Sequence, residues 1–180
     1  MAQRNLKIKE LCMIALMSAV IALCSFLAVP VGSVPHTLQL LGVFSALYLL
    51  GGRGGTVSVL LYLFIGLVGL PVFSGFRGGA GALFDAGGGF LLGFSLGSGL
   101  FWLLEALFGK SVPIRLISSV LSLLLIYLSG SLWYSVVYLG SLSFFFEALL
   151  VTVLPFILLD TAKIAIAWFI SSRISKYVKF

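Results

Sequence analysis

Residues 116–139 read LISSVLSLLLIYLSGSLWYSVVYL, an uninterrupted stretch without a single charged side chain. A helix of about 20 apolar residues is long enough to cross the hydrocarbon core of a bilayer. The apolar positions are continuous and do not alternate with polar ones, which is unlike a strand of a membrane β-barrel. Since lipid offers the backbone no hydrogen-bond partners, such a segment must satisfy its own peptide groups as an α-helix. The stretch therefore predicts a transmembrane helix.

The same apolar character extends over the whole chain of 180 residues. It is 61% hydrophobic and 9% charged, whereas a typical soluble domain has about 25% charged residues. A soluble core of this size cannot remove so much apolar surface from water. We therefore predict one all-α integral membrane domain over residues 1–180, with six transmembrane helices and no soluble catalytic domain. The expected spans are about 11–29, 37–52, 56–71, 90–108, 116–139 and an unusually long 144–172.

Two kinds of break separate the first three spans. Pro30 and Pro35 predict a short extended loop after the first span, and glycines at 51, 52, 54 and 55 predict a tight turn around Arg53. The basic N-terminus followed by an apolar run also resembles a signal peptide. The run is longer than the usual 7–15 residues of such a peptide, so we expect the first span to be retained.

The distribution of positive charge predicts the orientation of the chain. If the N-terminus is cytoplasmic, nine of the eleven Lys and Arg residues lie in inner segments, one (Arg77) lies in an outer loop and one (Lys163) lies within the last span. The nine are Arg4, Lys7, Lys9, Arg53, Lys110, Arg115, Arg173, Lys176 and Lys179. This bias follows the positive-inside rule and predicts that both termini are cytoplasmic. The net charge of +6 thus reports topology, and we expect no nucleic-acid partner.

The sequence carries no convincing catalytic or metal-binding motif. Gly109-Lys110-Ser111 resembles the end of a phosphate-binding loop but lacks its first glycine and a preceding strand. The segment 93–97, with Ser95 at its centre, matches a serine-nucleophile pattern but lies in an apolar helix, where Gly93 and Gly97 favour close helix packing. Cys12 and Cys24 are distant from any histidine and are interpreted as packing residues. We predict neither catalytic residues nor a metal site.

Charged side chains inside a membrane span are costly and usually functional. The last span contains Glu147, Asp160 and Lys163. Asp160 and Lys163 are three residues apart and share one helix face, whereas Glu147 points elsewhere near the outer end. The pair is either a structural ion pair or a recognition site inside the bundle. As a site, Asp160 accepts and Lys163 donates hydrogen bonds, which suits a neutral cyclic urea or amide.

A glycine-rich outer segment, residues 73–89, contains Phe73, Gly75 and Arg77. Glycines let backbone N–H groups approach a ligand, and with Arg77 they could hold an anionic group. The alternative is a flexible loop without a binding role.

The first span has small residues at helical spacing, Ala15, Ala19 and Ala22 with Ser18. Such a face allows close helix approach in lipid, either within this chain or onto another membrane protein.

Four segments together are similar to a known family. They are Val34–Gln39, Gly66–Phe73, Gly88–Phe94 and Asp160–Lys163. Their sequences and spacing resemble the BioY family, the biotin-binding S components of energy-coupling factor (ECF) transporters, over about residues 10–175. Two departures stand out. The family usually has an aliphatic residue in place of His36, and often reads Gly-Pro-Thr-Gly-Gly-Tyr where this chain has residues 85–90, Asp-Ala-Gly-Gly-Gly-Phe.

The resemblance implies roles for individual residues. Asp160 and Lys163 would contact the ureido ring of biotin, and Ala15 and Ala19 would dock a membrane-embedded T component that works with two ATPase subunits. We predict the following binding residues: Asp160, Lys163, Thr37, Gln39, Phe73, Gly75, Arg77, Gly88, Gly89 and Phe90. The docking residues are predicted to be Ala15, Ala19 and Ala22.

The predicted function is therefore capture of biotin from outside by a multi-pass subunit of the cell membrane, surrounded by lipid. Biotin is the bound substrate, and no cofactor is expected. The absence of an ATPase motif fits a subunit that is powered by its partners. Two alternatives remain open at this point: an S component for another small vitamin, and an intramembrane enzyme or structural membrane protein.

Overall fold

The protein is described by a computed structural model that covers residues 2–29 and 34–177, with side chains from Ile8 onward. Six α-helices and one small strand pair make up most of it. The helices are α1 (Ala2–Phe26), α2 (Gln39–Leu67), α3 (Gly88–Phe108), α4 (Val112–Trp133), α5 (Phe145–Thr152) and α6 (Ile157–Ile174). Strands β1 (Ala28–Val29) and β2 (His36–Thr37) pair antiparallel between α1 and α2. Pro30 and the side chains of Arg4, Lys7 and Lys179, used in the sequence predictions, lie outside the described residues.

Helix α2 reverses direction within its length. Gly51 has φ 73° and ψ 173°, which interrupts the helix and lies in the region that favours glycine. The amide Nε2 of Gln39 lies 2.6 Å from the hydroxyl of Tyr62, so the two ends of α2 are side by side. A Cβ on Gly55 would lie 2.6 Å from Leu47 Cα, because the two arms meet closely at the turn. The predicted spans 37–52 and 56–71 are therefore two antiparallel arms joined at the predicted glycine turn.

Five stretches of the described chain are long and apolar enough to cross a membrane. They are Ile8–Phe26, Gln39–Leu67, Gly88–Phe108, Val112–Tyr138 and Leu142–Ile174. The helix predicted at 90–108 begins slightly earlier, and that predicted at 116–139 is α4 extended by a π-helical turn over Tyr134–Tyr138. The prediction of an integral membrane protein built mainly from helices is confirmed.

The predicted last span, about 144–172, corresponds to the apolar stretch Leu142–Ile174, but it is not one continuous helix. Helix α5 ends at Thr152, a 3-10 turn covers Leu154–Phe156, and α6 begins at Ile157. Val153 leaves the helical region at φ −123° and ψ −53°. Pro155 explains the break, since proline has no N–H to donate and its ring clashes with the carbonyl four residues earlier. Helix α6 therefore begins three residues before Asp160.

Helices α3 and α4 pack closely through small residues. A Cβ on Gly97 would lie 2.8 Å from the Ile126 side chain, and one on Gly93 would collide with Ser129. The interpretation of Gly93 and Gly97 as packing glycines is thus confirmed. The hydroxyl of Ser122 donates a 2.8 Å hydrogen bond to the Gly97 carbonyl, which satisfies a polar group buried in the same contact.

A buried carboxylate that the sequence analysis overlooked ties the α2 turn to α3 and α4. Glu105 on α3 is 5% exposed, and its Oε2 accepts a 2.5 Å hydrogen bond from the Gly52 N–H. Its Oε1 accepts from Arg115 on α4, with Nε at 2.9 Å and Nη2 at 2.8 Å. Two guanidinium nitrogens therefore share one carboxylate oxygen, and the other oxygen is left for the Gly52 N–H; hydrogen bonds of this charge-assisted kind are stronger than neutral ones. The cluster holds three elements together at the end of the bundle opposite the strand pair.

Candidate binding site

A cavity opens between the strand pair, the loop that joins α2 to α3, and side chains from five helices, α2 to α6. It encloses about 780 Å³ of space free of protein atoms, including its open mouth, which is within the usual range for small-molecule pockets. Its apolar wall includes Leu40, Phe73, Ala82, Phe90, Leu91, Phe94, Ile126 and Phe156. Its polar groups include His36, Thr37, Gln39, Ser74, Arg77, Tyr127, Thr152, Asp160 and Lys163. An apolar pocket with a few convergent polar groups is typical of a ligand site.

Asp160 and Lys163 form the polar end of this cavity. They are 7% and 6% exposed, and Lys163 Nζ lies 2.9 Å from Asp160 Oδ1. One turn of α6 separates them, as their spacing predicts. The other carboxylate oxygen, Oδ2, accepts a 2.8 Å hydrogen bond from the Tyr127 hydroxyl on α4. Both oxygens retain further lone pairs, so the carboxylate can still accept hydrogen bonds from a ligand.

The Lys163 ammonium also contacts the strand pair. Nζ lies 2.6 Å from the Thr37 carbonyl oxygen and 2.7 Å from His36 Nε2. The His36 ring stacks on Phe156, with centroids 4.4 Å apart and planes inclined by 10°. The break before α6 supplies Phe156, and α6 itself supplies Lys163. Strand β2 is thereby fastened to the last helix at the cavity.

The electrostatics of this contact favour a neutral imidazole. Burial lowers the pKa of His36 below its ordinary value, and the nearby Lys163 charge lowers it further, while Asp160 opposes them. An ammonium only donates hydrogen bonds, so Nε2 must be the acceptor, and the ring proton is then on Nδ1. Neutral His36 therefore acts as an acceptor for Lys163.

A second chain of hydrogen bonds supports the adjacent wall. Thr37 Oγ1 lies 2.9 Å from Gln39 Oε1, and Gln39 Nε2 donates to Tyr62 at 2.6 Å. The Tyr62 ring meets Phe73 edge to face, with centroids 5.6 Å apart. The two arms of α2 thus hold Phe73, in the loop that joins α2 to α3, against the cavity.

Arg77 lies in the loop that joins α2 to α3 and also lines the cavity. It forms an ion pair with Asp85, and its Nε donates a 3.0 Å hydrogen bond to the Ser74 carbonyl. Its side chain remains 44% exposed. Phe73 and Arg77 also pair through their backbones, with Phe73 N donating to Arg77 O at 2.9 Å. A positive group is therefore held at the mouth, already balanced by one carboxylate.

Seven of the ten predicted binding residues line the cavity. They are Asp160, Lys163, Thr37, Gln39, Phe73, Arg77 and Phe90. The three glycines do not appear among its lining residues. Gly75 is exposed in the loop at φ 72°, where glycine meets no steric penalty.

Gly88 and Gly89 are buried packing positions at the start of α3. A Cβ on Gly88 would collide with the Leu83 carbonyl, and one on Gly89 would lie 2.7 Å from the Ser129 carbonyl oxygen. These glycines let the outer loop and α4 approach α3. They influence the shape of the cavity by positioning the next residue, Phe90, which lines it.

Sequence reasoning missed Tyr127, His36, Phe94 and Phe156. Tyr127 had a usable signal, because a tyrosine in the middle of an apolar span must find a partner for its hydroxyl. His36 was noted only as a departure from the family pattern. The aromatic residues had no distinguishing signal in a chain that is 14% aromatic.

The predicted docking face of α1 divides into two parts. Ala15 and Ala19 are exposed along the outside of the bundle. Ser18 is 3% exposed, and Ala22 is half-buried against the core. The alternative of internal packing therefore applies to Ser18 and Ala22, because helix α1 turns these positions toward α2.

The site combines a hydrogen-bond acceptor, a cation and apolar walls without a cluster suited to metal binding. Among the described residues, no group of three His, Cys, Asp or Glu side chains could hold a metal ion. Asp160 is engaged by the Tyr127 hydroxyl and the Lys163 ammonium. The geometry is that of a recognition site for a small, partly polar molecule.

The fold closely matches a known membrane protein. The crystal structure of the S-component for biotin from an ECF-type ABC transporter superposes with a TM-score of 0.81 and 30% sequence identity. The match covers 96% of this chain and 93% of that one.

Curated relatives are similar over nearly their full length. A probable biotin transporter BioY of Pyrococcus horikoshii is 35% identical over 169 residues, 94% of this chain and 98% of its own. The biotin transporter BioY of Thermotoga maritima is 35% identical over 172 residues, 93% of this chain and 96% of its own. The model of the BioY family matches residues 1–180. The chain therefore belongs to the BioY family.

Proposed function

We propose that this protein is the biotin-binding S component of an ECF-type importer. The observation that carries the proposal is the Asp160–Lys163 pair, buried in the membrane-spanning bundle at the end of an apolar-walled cavity. Biotin has a cyclic urea, an apolar thioether ring and a carboxylate tail. The urea presents both N–H donors and a carbonyl acceptor, which complement a carboxylate and an ammonium side by side.

The remaining parts of biotin have matching surroundings. The N–H groups of the urea would donate to Asp160, which Tyr127 orients, and its carbonyl would accept from Lys163. The thioether ring would lie against the apolar side chains of α3 and α4, including Leu91 and Ile126. The carboxylate tail would extend toward Arg77 at the mouth. Because Arg77 is already paired with Asp85, the tail would share or displace that partner.

We infer six membrane crossings, with both termini in the cytoplasm and the cavity facing outward. The fold-back of α2 at Gly51 supplies two crossings from one helix, and the broken segment α5–α6 supplies the last. The cationic side chains outside the spans lie mostly at the ends assigned to the cytoplasm, in keeping with the positive-inside rule. A subunit that captures a vitamin from outside would reside in the cell membrane.

Transport would depend on partners. The chain contains no recognisable nucleotide-binding motif, so we propose that a T component and two ATPase subunits supply the energy. Ala15 and Ala19 are exposed on α1 and suit close docking of a helix from the T component, because small residues allow backbones to approach in lipid. The protein would act without catalysis and without a cofactor of its own.

Equilibrium binding of radiolabelled biotin to purified protein in detergent tests the substrate. Wild-type protein should bind biotin, and unlabelled riboflavin or thiamine should not compete. Asp160→Asn should weaken binding about 30-fold or more, since truncating one partner of a buried charge pair costs about 2–5 kcal/mol. Glu147→Gln is the matched control, because Glu147 is exposed and does not line the cavity.

One outcome would refute the proposed substrate, and another would refute the role of Asp160 in binding it. A well-folded wild-type protein that fails to bind biotin at micromolar concentration would exclude the substrate. Unchanged affinity in folded Asp160→Asn would leave the ion pair with a structural role alone.

A further inference from the structure

The Lys163 ammonium has no proton left for a ligand in this structure. It has three N–H donors, and three acceptors lie within hydrogen-bond distance: Asp160 Oδ1, the Thr37 carbonyl oxygen and His36 Nε2. A urea carbonyl that is to bind Lys163 must therefore take the place of one of them. The free energy that ligand binding loses therefore depends on which of the three acceptors leaves.

The three acceptors differ in how firmly they are held. Asp160 carries a full charge, lies one turn away on the same helix and is fixed by Tyr127. The Thr37 carbonyl belongs to the backbone of β2, where Thr37 pairs with Ala28 of β1. His36 contributes a neutral side chain that can rotate about its own torsions, and its ring is held on one face by Phe156. His36 is the acceptor that can leave with the least disturbance.

We propose that His36 occupies the ligand-carbonyl position on Lys163 in the empty site and is displaced when the ligand binds. His36 is thus an affinity-setting residue that competes with the ligand for one proton of Lys163. The inference rests on the proposed function, since it takes the ligand to be biotin with its urea carbonyl on Lys163. It concerns a histidine at a position where the family resemblance leads one to expect an aliphatic side chain.

Displacement would couple binding to proton uptake. Several charged or titratable groups surround the imidazole: Lys163 and Asp160 from α6, Tyr127 of α4 behind Asp160, and Arg77 with Asp85 in the outer loop across the cavity. In the empty site, protonation of His36 would break its bond to Lys163 and place two cations in contact. After displacement that penalty is relieved, so the bound form accepts a proton more readily. By linkage, biotin affinity must rise as the pH falls through the range where the two forms differ in protonation.

The test uses the single histidine of the chain. Biotin affinity of the purified full-length protein is measured from about pH 7.5 to about pH 5.5, the range in which histidine changes charge. Wild-type affinity should rise several-fold toward low pH. His36→Leu cannot accept from Lys163, so it should bind biotin roughly tenfold tighter at neutral pH, as expected from loss of a competing bond to a charged group. The biotin affinity of this variant should lack the wild-type rise toward low pH. Any change in affinity caused by titration of Asp160 or of the biotin carboxylate would instead be seen in both proteins.

A second measurement does not depend on a variant. The titration of labelled His36 is followed by NMR in the empty and the biotin-saturated wild-type protein, and its midpoint should move to higher pH on binding. An identical midpoint in both states, a pH profile shared with His36→Leu, or weaker binding by that variant would overturn the inference while leaving biotin binding intact. Failure of the wild-type protein to bind biotin at any pH would instead refute the proposed function.

Discussion

The hydroxyl of Tyr127 on α4 donates a 2.8 Å hydrogen bond to Oδ2 of Asp160 on α6, and the two residues are 33 positions apart in the chain. Oδ1 of the same carboxylate is bound by Lys163. The carboxylate is thus held from both sides by groups on different helices. Its orientation in the cavity depends on where α4 places Tyr127 relative to α6 and not on α6 alone.

Tyr127→Phe should weaken biotin binding and destabilise the empty protein. It removes one hydrogen bond to a buried carboxylate, an interaction worth about 1.5–3 kcal/mol, and this would reduce affinity by roughly tenfold if the ligand needs the same orientation. Equilibrium binding and thermal unfolding in detergent measure the two effects. Tyr138→Phe is the control, because Tyr138 is 52% exposed and its hydroxyl has no role in the cavity. If the two variants had the same biotin affinity and the same unfolding midpoint, a positioning role for Tyr127 would be contradicted.

Glu105→Gln should be strongly destabilising without changing the chemistry of the cavity. The variant leaves Arg115, whose side chain is 20% exposed, facing a neutral partner. Loss of one member of a buried ion pair costs about 3–5 kcal/mol, and the partial exposure of Arg115 places the expected cost at the lower end of that range. It also weakens the acceptor for the Gly52 N–H at the α2 turn. The thermal midpoint should fall, and biotin affinity of the fraction that remains folded should stay near wild type. Stability equal to wild type would show that the cluster does not hold the turn.

Acidification should destabilise the empty protein through His36. The folded state lowers the pKa of this histidine below its ordinary 6.5, so the unfolded chain binds the proton more readily. The contribution of neutral His36 to stability is therefore complete above about pH 6.5 and is lost as the pH falls through the lower folded value. Thermal unfolding without biotin from about pH 7.5 to about pH 5.5 measures this slope. His36→Leu has no group to titrate at this position, so its unfolding midpoint should change less with pH than that of the wild-type protein. An equal change in both proteins would assign the pH dependence to other residues.

Membrane orientation is tested by cysteine labelling. In a variant with Cys12 and Cys24 replaced by alanine, a cysteine at Gly81, an exposed position near Gly78 where a Cβ meets no other atom, should react with a membrane-impermeant maleimide added outside intact cells. A cysteine at Arg53 should react only after the membrane is permeabilised, because the positive-inside rule places the α2 turn in the cytoplasm. The reverse pattern would invert the topology and place the cavity on the inner side.

Docking on α1 is tested by bulky substitutions. Ala19→Trp should disrupt assembly with the T component while leaving biotin binding by the isolated protein unchanged, because Ala19 is exposed outside the bundle and close helix approach needs a small residue. Ala15→Trp should likewise disrupt assembly and leave biotin binding unchanged. Leu128→Trp, at a 52% exposed position on α4, is the control. Co-purification of the partner at wild-type yield with either α1 variant would exclude this face as the docking surface.

Local patterns accounted for much of this molecule. Continuous apolar runs required lipid as the solvent and helices as the spanning elements. The glycine cluster at 51–55 predicted the reversal of α2, and the three-residue spacing of Asp160 and Lys163 predicted their contact. These features depend on solvent, backbone freedom and helix periodicity, which are set by residues close together in the chain.

Tertiary packing decided the surroundings of those local features. It turned Ser18 and Ala22 inward and used Gly88 and Gly89 for helix packing instead of cavity lining. It also brought His36 to Lys163 across 127 positions. Nothing in the spacing of such distant residues predicts their meeting, since that depends on how whole helices pack. The sequence by itself determined that this chain spans a membrane and carries a charged pair within it; the fold alone decided which groups hold that pair and which one a ligand must displace.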